Sequence, residues 1–232
     1  GQDALSRLCD IATAKLAALR ERGDPAGLDP FSWHLLLQFG AFPAVLDRHV
    51  TEFFPHLFPQ GRYYGKTLGV DIYSVEETIA RGDAIYAEMR EQAFSAEPLP
   101  PDYFGRIGGE HEQVVDIIDS IRSDAGRIYS VNLPNKGQIP NLPPDAIVEA
   151  PAIADAGGLR PIAQSPLASG LVGTLATRLA WVETIVEAAL ERSRAKFIQA
   201  LVLDGAVSSL EQAEALANAL FEAQQEHLED FT

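Results

Sequence analysis

The segment GAFPAVLDRHVTEFFPHLFP, residues 40 to 59, sets ionisable side chains among aromatic ones. Asp47, Arg48, His49 and Glu52 lie within six positions and are flanked on both sides by phenylalanines. Apolar surroundings shift pKa values, which makes proton transfer near neutral pH possible. In a helix, Arg48 and Glu52 would be four residues apart and His49 and Glu52 three apart. Spacing alone therefore leaves two interpretations open, an acid/base site and a structural Arg48–Glu52 ion pair.

The other histidines and acids carry weaker signals. Glu110 and His111 precede an apolar-periodic run, where an acid is favoured by the helix dipole, so capping and a place at a cleft edge are both open. His34, within FSWHLLL, is typical of a buried core histidine. His56 stands beside prolines and His227 lies in an acidic tail, and for both we expect structural or exposed positions.

A long polar loop, NLPNKGQIPNLPPD from Asn132, precedes an apolar strand pattern. Prolines fix the path of such a loop, glycine allows close approach of the backbone, and asparagine side chains both donate and accept hydrogen bonds. These properties suit a ligand-facing wall with Asn135 and Asn141 in it. An ordered connector without a ligand explains them equally well.

Composition excludes several classes of protein. The 232 residues carry a net charge of −15 and assemble no cluster of Lys and Arg, which disfavours nucleic acid as a partner. One cysteine, Cys9, excludes an internal disulfide and fits a reducing, cytoplasmic compartment. The most apolar window, Leu167 to Leu190, is interrupted by charges and predicts a core helix and no membrane partner. Phosphate-binding glycine loops, nucleophile elbows and zinc spacings are missing from the sequence.

Hydrophobic periodicity predicts the elements that must position these residues. Helical spacing covers residues 4 to 20 and Val114 to Ile121, and capping-box patterns open helices at Ser74, with Glu77, and at Ser208, with Glu211. Extended patterns at RIYSVNL and AIVEAPAIA flank the long loop and predict a small sheet. The sequence after Pro166 is helical, with a break at Asp204 and Gly205. The predicted class is α+β, mostly helical, with a small mixed or antiparallel sheet.

Three segments in this order resemble a known family. GAFPAVLDRHVTEFFPHLFP, GEHEQVVDIIDSI and VNLPNKGQIPNLPPDAIVEAPAIADAGGLRPIA are similar to the C-terminal half of the family 4 glycoside hydrolases, and VETIVEAALERSRAKFIQALVLD is similar to the family's terminal helices. The resemblance implies the lactate/malate dehydrogenase-like C-terminal domain of these enzymes, a substrate-binding and oligomerisation domain covering residues 1–232. It also implies a carbohydrate substrate, a cytoplasmic homo-oligomer, and NAD and Mn²⁺ as cofactors of the complete enzyme.

In this family the nicotinamide is expected to oxidise the sugar 3-hydroxyl and a base to remove the C2 proton before the aglycone is eliminated. The two-carboxylate mechanism of most glycosidases therefore does not apply. The DRHVTEFFP segment borders the substrate pocket in relatives, so the resemblance makes Asp47 and His49 the catalytic candidates. Arg48 and Glu52 support them as substrate-binding residues, as do Asn135, Asn141, Glu110 and His111. This variant of the segment is more similar to members acting on unphosphorylated sugars or uronic acids than to those acting on 6-phospho-sugars.

The chain departs from the family pattern in what it lacks. No glycine-rich dinucleotide fingerprint, cysteine-asparagine motif or asparagine-histidine metal motif occurs in the sequence, so we assign no metal ligand and expect no cofactor to be held by this chain alone. We therefore expect a separate or missing NAD-binding domain and an isolated chain without activity. The alternatives are a stand-alone, non-catalytic sugar or sugar-acid binding module and a structural assembly domain.

Overall fold

A computed structural model of the chain describes residues 4–101, 103, 113–228 and 231. The fold is α+β and mostly helical, with small antiparallel sheets, as the sequence predicts. The α-helices are α1 Leu5–Arg22, α2 Pro30–Phe39, α3 Asp47–Val50, α4 Val75–Phe94, α5 Val114–Ser123, α6 Ser169–Glu191, α7 Arg194–Asp204 and α8 Leu210–Ala223. The strands are β1 Arg62–Tyr63, β2 Lys66–Thr67, β3 Arg127–Pro134, β4 Ile147–Asp155 and β5 Gly158–Pro161. Short 3₁₀ turns occupy Thr51–Phe53, Pro55–Leu57, Pro59–Gly61 and Gln225–His227.

The chain divides into two compact units. The first contains Gly1–Val75 and Ala168–Thr232, and the second contains Glu76–Leu167. Each unit is described by itself below.

Local sequence explains where the first helices end. α1 stops at Gly23 and α2 stops at Gly40, and both glycines take a left-handed conformation with φ of 66° and 65°. Their N–H groups donate back to the carbonyls of Leu19 and Leu36, which is the usual glycine termination of a helix.

An aromatic core holds the segment after α3 against α2 in the first unit. Phe31 is buried, and Phe54 and Phe58 meet its ring edge-on, with centroids 5.3 and 4.8 Å away. Such edge-to-face pairs add to the free energy of burying the rings. Leu35, Val50 and Tyr63 complete the buried cluster, so the 47–63 segment is fixed to α2 by packing.

The second unit contains the predicted sheet. β3 and β4 pair antiparallel from Arg127 opposite Ala154 to Pro134 opposite Ile147, and β5 adds to the other edge of β4. Alternate residues of β4, from Val148 to Ala154, are buried, as expected for a strand with one covered face. The Ser120 hydroxyl on α5 donates to the Ala154 carbonyl at 2.8 Å and fixes this helix to the sheet.

Two local predictions differ from the structure. The capping box predicted at Ser208 with Glu211 is shifted by one residue, because Ser209 accepts the Gln212 N–H and the Gln212 side chain reaches back to Ser208. The pairing of β1 with β2 was not predicted, since two residues per strand are too few for a periodic signal. α4 begins at Val75, directly after Ser74 as predicted. Within the described ranges, no helix is both long and apolar enough to cross a bilayer.

Candidate functional site

The carboxylate of Asp47 belongs to the first unit and is completely buried. Its Oδ2 accepts the Phe31 N–H at 2.7 Å and the Tyr63 hydroxyl at 2.6 Å. Its Oδ1 accepts the Ser32 N–H at 2.7 Å and the Ser32 hydroxyl at 2.5 Å. Free N–H groups at a helix start need an acceptor, and a carboxylate is the best one. Asp47 therefore caps α2 from a distant part of the chain.

A polar network extends from this carboxylate. Asp29 Oδ1 accepts the Tyr73 hydroxyl at 3.0 Å and the backbone N–H of Asp47 at 3.3 Å. Burial, followed by the hydrogen bond to Asp47, raises the pKa of Tyr63 well above its usual range. Burial and the charge of Asp29 likewise raise the pKa of Tyr73. Both tyrosines therefore stay neutral hydrogen-bond donors at neutral pH.

His49, Arg48 and Glu52 lie on the solvent side of the same turn. His49 Nδ1 is 3.7 Å from Glu52 Oε2, with side chains 55% and 69% exposed. Glu52 thus pairs with His49 instead of Arg48, the partner that regular helical spacing suggested. The reason is local: α3 ends at Val50 and a 3₁₀ turn follows, and three residues per turn align positions three apart. Asp47 and His49 are two positions apart, but the side chain of Asp47 is buried and that of His49 is exposed to solvent.

An open cleft lies beside this segment within the first unit. Its apolar part is a hollow of about 270 Å³ between residues 41–54 and the start of α6, with Phe39, Phe42, Phe53, Leu171 and Leu175 in its wall. A mostly apolar recess with a few polar groups near it is the usual form of a small-molecule site.

The polar part of the cleft adjoins the apolar part and has a volume of about 340 Å³, with His56, Arg178 and Asp204 in its wall. Arg178 Nη1 is 2.7 Å from Asp204 Oδ1, and the Arg178 side chain is only 12% exposed. Its guanidinium also lies 5.4 Å from the Phe53 ring centroid and 5.5 Å from that of Trp181. Two charged groups are thereby held rigidly at the edge of an apolar hollow. We did not predict Arg178 and Asp204, which belong to different helices and form no local motif.

Asn135 organises the long loop of the second unit. Its side chain is 1% exposed, and its Nδ2 donates to the carbonyls of Ile139, Leu142 and Pro143 at 2.9 to 3.1 Å. Its Oδ1 accepts the N–H groups of Gly137 and Ile139. One amide therefore contacts five backbone groups, with its two N–H hydrogens shared among the three carbonyls, and its polar atoms face the loop interior.

Asn141 fastens the same loop at its other end. Its side chain donates to the Leu167 carbonyl at 2.7 Å and accepts the Leu167 N–H at 2.9 Å. Asn141 is exposed, and Lys136 forms an ion pair with Asp145 across the base of the loop. Both asparagines predicted to bind substrate thus take part in hydrogen bonds within their own unit.

Two further predicted residues, Glu110 and His111, lie outside the described residues. Among those described, no three His, Cys, Asp or Glu side chains come together as a metal-binding group. The carboxylates and histidines of the cleft therefore do not fit a metal site formed by these residues alone.

Comparison with known proteins identifies the family that this chain matches. Residues 1–207 match the family model for the family 4 glycosyl hydrolase C-terminal domain. An alpha-galacturonidase of Bacillus subtilis is 27% identical over 192 residues, which cover 82% of this chain and 41% of that enzyme. A phospho-alpha-glucosidase of Clostridium acetobutylicum is 31% identical over 117 residues, 50% of this chain and 26% of that enzyme. The chain thus spans less than half the length of these relatives.

Solved structures share the fold. A putative glucosidase of Bacillus subtilis superposes with a TM-score of 0.72 at 24% identity, covering 94% of this chain and 50% of that one. The 6-phospho-beta-glucosidase of Thermotoga maritima, solved with manganese, NAD⁺ and glucose-6-phosphate, superposes with a TM-score of 0.72 at 19% identity. That comparison covers 98% of this chain and 50% of the Thermotoga chain.

Proposed function

Because the chain belongs to family 4 of the glycoside hydrolases, of which it carries the C-terminal domain, we propose that it forms the substrate side of an NAD- and manganese-dependent glycosidase. The family match over residues 1–207 carries this proposal. The stand-alone sugar-binding module and the structural assembly domain are not favoured, because the match is to one domain of enzymes about twice as long. In the complete enzyme a dinucleotide-binding half would supply NAD, whose chemistry is reversible hydride transfer to and from the sugar.

The cleft of the first unit is the substrate site in this proposal. A sugar ring has apolar C–H faces and polar edges, so the apolar hollow beside Phe42 and Phe53 fits a ring face. Arg178 and Asp204 supply charged hydrogen-bonding partners for hydroxyl or carboxylate groups. A carboxylate on the substrate would face a guanidinium that is already held in place.

A uronic acid or an unphosphorylated sugar is the favoured substrate class. The alpha-galacturonidase alignment covers 82% of this chain, whereas the phospho-alpha-glucosidase alignment covers 50%. The longer alignment supports a sugar acid, which agrees with the form of the DRHVTEFFP segment.

The candidate residues take different roles under this proposal. His49, exposed and paired with Glu52, can hold or move a proton, with Arg48 beside it on the surface. Asp47 acts as a positioning residue, since its hydrogen bonds to α2 and Tyr63 set the start of the His49 turn. Asn135 and Asn141 shape the loop of the second unit. No step passes through a metal held by the described residues.

Calorimetry with the purified chain tests the site. Galacturonate should release binding heat, glucose-6-phosphate should release less, and Arg178→Met should abolish the galacturonate signal. Arg122→Met, at an exposed position on α5, is the matched control and should bind like the wild type. Equal binding by both variants would contradict the assignment of the cleft.

Activity tests the enzyme class. A protein that joins this chain to its dinucleotide-binding half should cleave aryl galacturonides only with NAD⁺ and Mn²⁺, and His49→Ala should lower kcat. The 232-residue chain alone should give no turnover under the same conditions. Turnover by the chain alone would refute the proposal that catalysis needs both this chain and a dinucleotide-binding half.

A further inference from the structure

A second hollow lies in the first unit and forms no part of the proposed substrate cleft. Its volume is about 320 Å³, and its wall contains Phe31, His34, Leu57, Phe58, Arg62 and Tyr64. We name this space the His34 hollow. Among the described residues, it shares no wall residue with either part of the cleft. The proposed function does not use it, so a ligand of its own would explain its chemistry.

The polar groups of the His34 hollow are left without partners by the fold. Within the described ranges, neither the His34 ring nitrogens nor the Tyr64 hydroxyl takes part in a hydrogen bond. Neither group is fully sealed from solvent. Arg62 is exposed, and its Nη2 is 3.4 Å from Gln60 Oε1, which occupies one of five guanidinium donors. Unpaired polar groups that meet in a largely apolar recess are typical of a small-molecule site.

The charge at the His34 hollow is opposite to that of the whole chain. The chain carries a net charge of −15, yet among the described residues no Asp or Glu lines this hollow, whereas Arg62 does. Asp47 is close enough to affect the pKa of His34, but it is fully buried and both its oxygens accept hydrogen bonds. The wall therefore favours an anionic group beside the Arg62 guanidinium.

Two further groups of the wall are neutral hydrogen-bonding partners. Burial, followed by the charge of Arg20, lowers the pKa of His34, so its imidazole is neutral at neutral pH and offers one donor and one acceptor. Burial, followed by the charge of Asp47, raises the pKa of Tyr64. Its hydroxyl therefore remains protonated and can donate a hydrogen bond to an anion.

The rest of the wall is aromatic and held in fixed orientations. The Phe58 ring meets the buried Phe31 ring edge-on, with centroids 4.8 Å apart. The His34 and Tyr64 rings are parallel to within 5°, with centroids 6.1 Å apart. Tyr63, which is buried, meets the Tyr64 ring edge-on at 4.9 Å. Flat side chains that cannot turn freely suit a flat ligand, which can stack on their faces or meet their edges.

We propose that the His34 hollow binds an aromatic carboxylate, a single planar ring that carries one carboxylate group. The carboxylate pairs with the Arg62 guanidinium and accepts a hydrogen bond from the Tyr64 hydroxyl. The ring packs against Phe31 and Phe58. The volume is at the lower end for small-molecule sites, which limits the ligand to about one ring. A sugar acid would set its ring hydroxyls against phenyl groups, so this ligand class differs from that of the cleft.

NMR titration of the purified chain with benzoate tests the site. Benzoate should bind with a Kd of about 0.1–1 mM, as expected for so small a ligand. Benzamide has the same shape without the charge and should bind at least about fivefold more weakly. Cyclohexanecarboxylate keeps the charge without the flat ring and should also bind more weakly than benzoate.

Two substitutions test the assigned contacts. Arg62→Met should weaken benzoate binding about tenfold, whereas the control Arg7→Met, at an exposed position of α1, should bind benzoate like the wild type. Tyr64→Phe should weaken binding about threefold. Because the Tyr64 hydroxyl has no hydrogen bond within the described residues, its removal should leave the fold intact, which tryptophan fluorescence checks.

Competition separates this site from the cleft. An excess of galacturonate should leave the benzoate affinity unchanged, and Arg178→Met should bind benzoate like the wild type. Displacement of benzoate by galacturonate would assign benzoate to the cleft and overturn a separate site. Equal benzoate affinity of the wild type and Arg62→Met would also overturn the proposal, as would benzamide binding as tightly as benzoate or no benzoate binding up to about 10 mM.

Discussion

Replacing Asp47 tests how far the first unit depends on one buried carboxylate. Asp47→Ala removes the acceptor of four hydrogen bonds, from two α2 amides, the Ser32 hydroxyl and the Tyr63 hydroxyl. The two amides and the Tyr63 hydroxyl would then be buried donors without their carboxylate. Asp47→Asn keeps the side-chain volume but replaces one carboxylate oxygen by an NH₂ group, which cannot accept a hydrogen bond. Only the hydrogen bonds to the remaining oxygen are therefore kept.

The expected magnitudes follow from these contacts. Hydrogen bonds to charged groups contribute about 1.5–3 kcal/mol each and a lost N-cap costs about 1 kcal/mol. The Ser32 hydroxyl can turn to another acceptor and water can enter the space, so the losses do not add fully. We expect Asp47→Ala to lower the free energy of unfolding by about 4 kcal/mol and Asp47→Asn by about 2 kcal/mol. The larger loss approaches the whole stability of a marginal domain.

Urea denaturation followed by tryptophan fluorescence measures these losses in the relevant unit. Trp33 and Trp181 both belong to the first unit and the second contains no tryptophan, so the signal reports the first unit alone. Glu52→Ala, in the same turn but on the exposed side, is the control and should change stability by no more than about 0.5 kcal/mol. If Asp47→Ala cost no more than Glu52→Ala, the capping role assigned to Asp47 would be refuted.

Three further perturbations probe other parts of the chain. Tyr63→Phe should lower the free energy of unfolding by about 1–2 kcal/mol at neutral pH. Because the pKa of Tyr63 is raised on folding, the wild type should lose stability above about pH 10 and the variant should lose less. Equal losses of both proteins at alkaline pH, measured by urea titration, would contradict this. Burial and the charge of Arg20 hold the pKa of His34 below its usual value. Wild-type stability should therefore be full above about pH 6.5 and fall as the pH drops below it. His34→Gln should make this fall less steep, and an equally steep fall in the variant would contradict the role of His34. Asn135→Ala should lower the free energy of unfolding by about 3 kcal/mol and speed amide hydrogen exchange in the peptide covering residues 134–146. The control Asn141→Ala loses two exposed hydrogen bonds and should lower it by about 1 kcal/mol. Equal exchange rates in the two variants would contradict the special role of Asn135.

Much of the fold could be predicted because its signals are local. The end of α2 at Gly40 and the start of α4 after Ser74 depend on residues within one helical turn. The β3–β4 pairing was predictable because alternating residues flank one loop. Where competing local signals are adjacent, as with Ser208 and Ser209, the prediction fails by one position.

The candidate site was less predictable because its contacts join distant positions. Asp47 meets Phe31 and Ser32 across 16 and 15 residues, and the Arg178–Asp204 pair spans 26. Asp29, directly before Pro30, has the sequence of an N-cap for α2, yet its backbone is left-handed and its side chain does not cap the helix. A buried acid within an apolar run, close to a helix whose own cap is unused, is the signal that could have identified Asp47.

The single amide of Asn135 has a consequence for redesign of the second unit. Because one buried side chain contacts five backbone groups of the loop, the path of the loop depends little on those exposed side chains that make no bond within it. These positions can be randomised in a library while Asn135, Gly137, Asn141, the Lys136–Asp145 pair and the two strands stay fixed. The loop would then serve as a replaceable cassette on a constant frame, in which side chains change without moving the backbone that carries them.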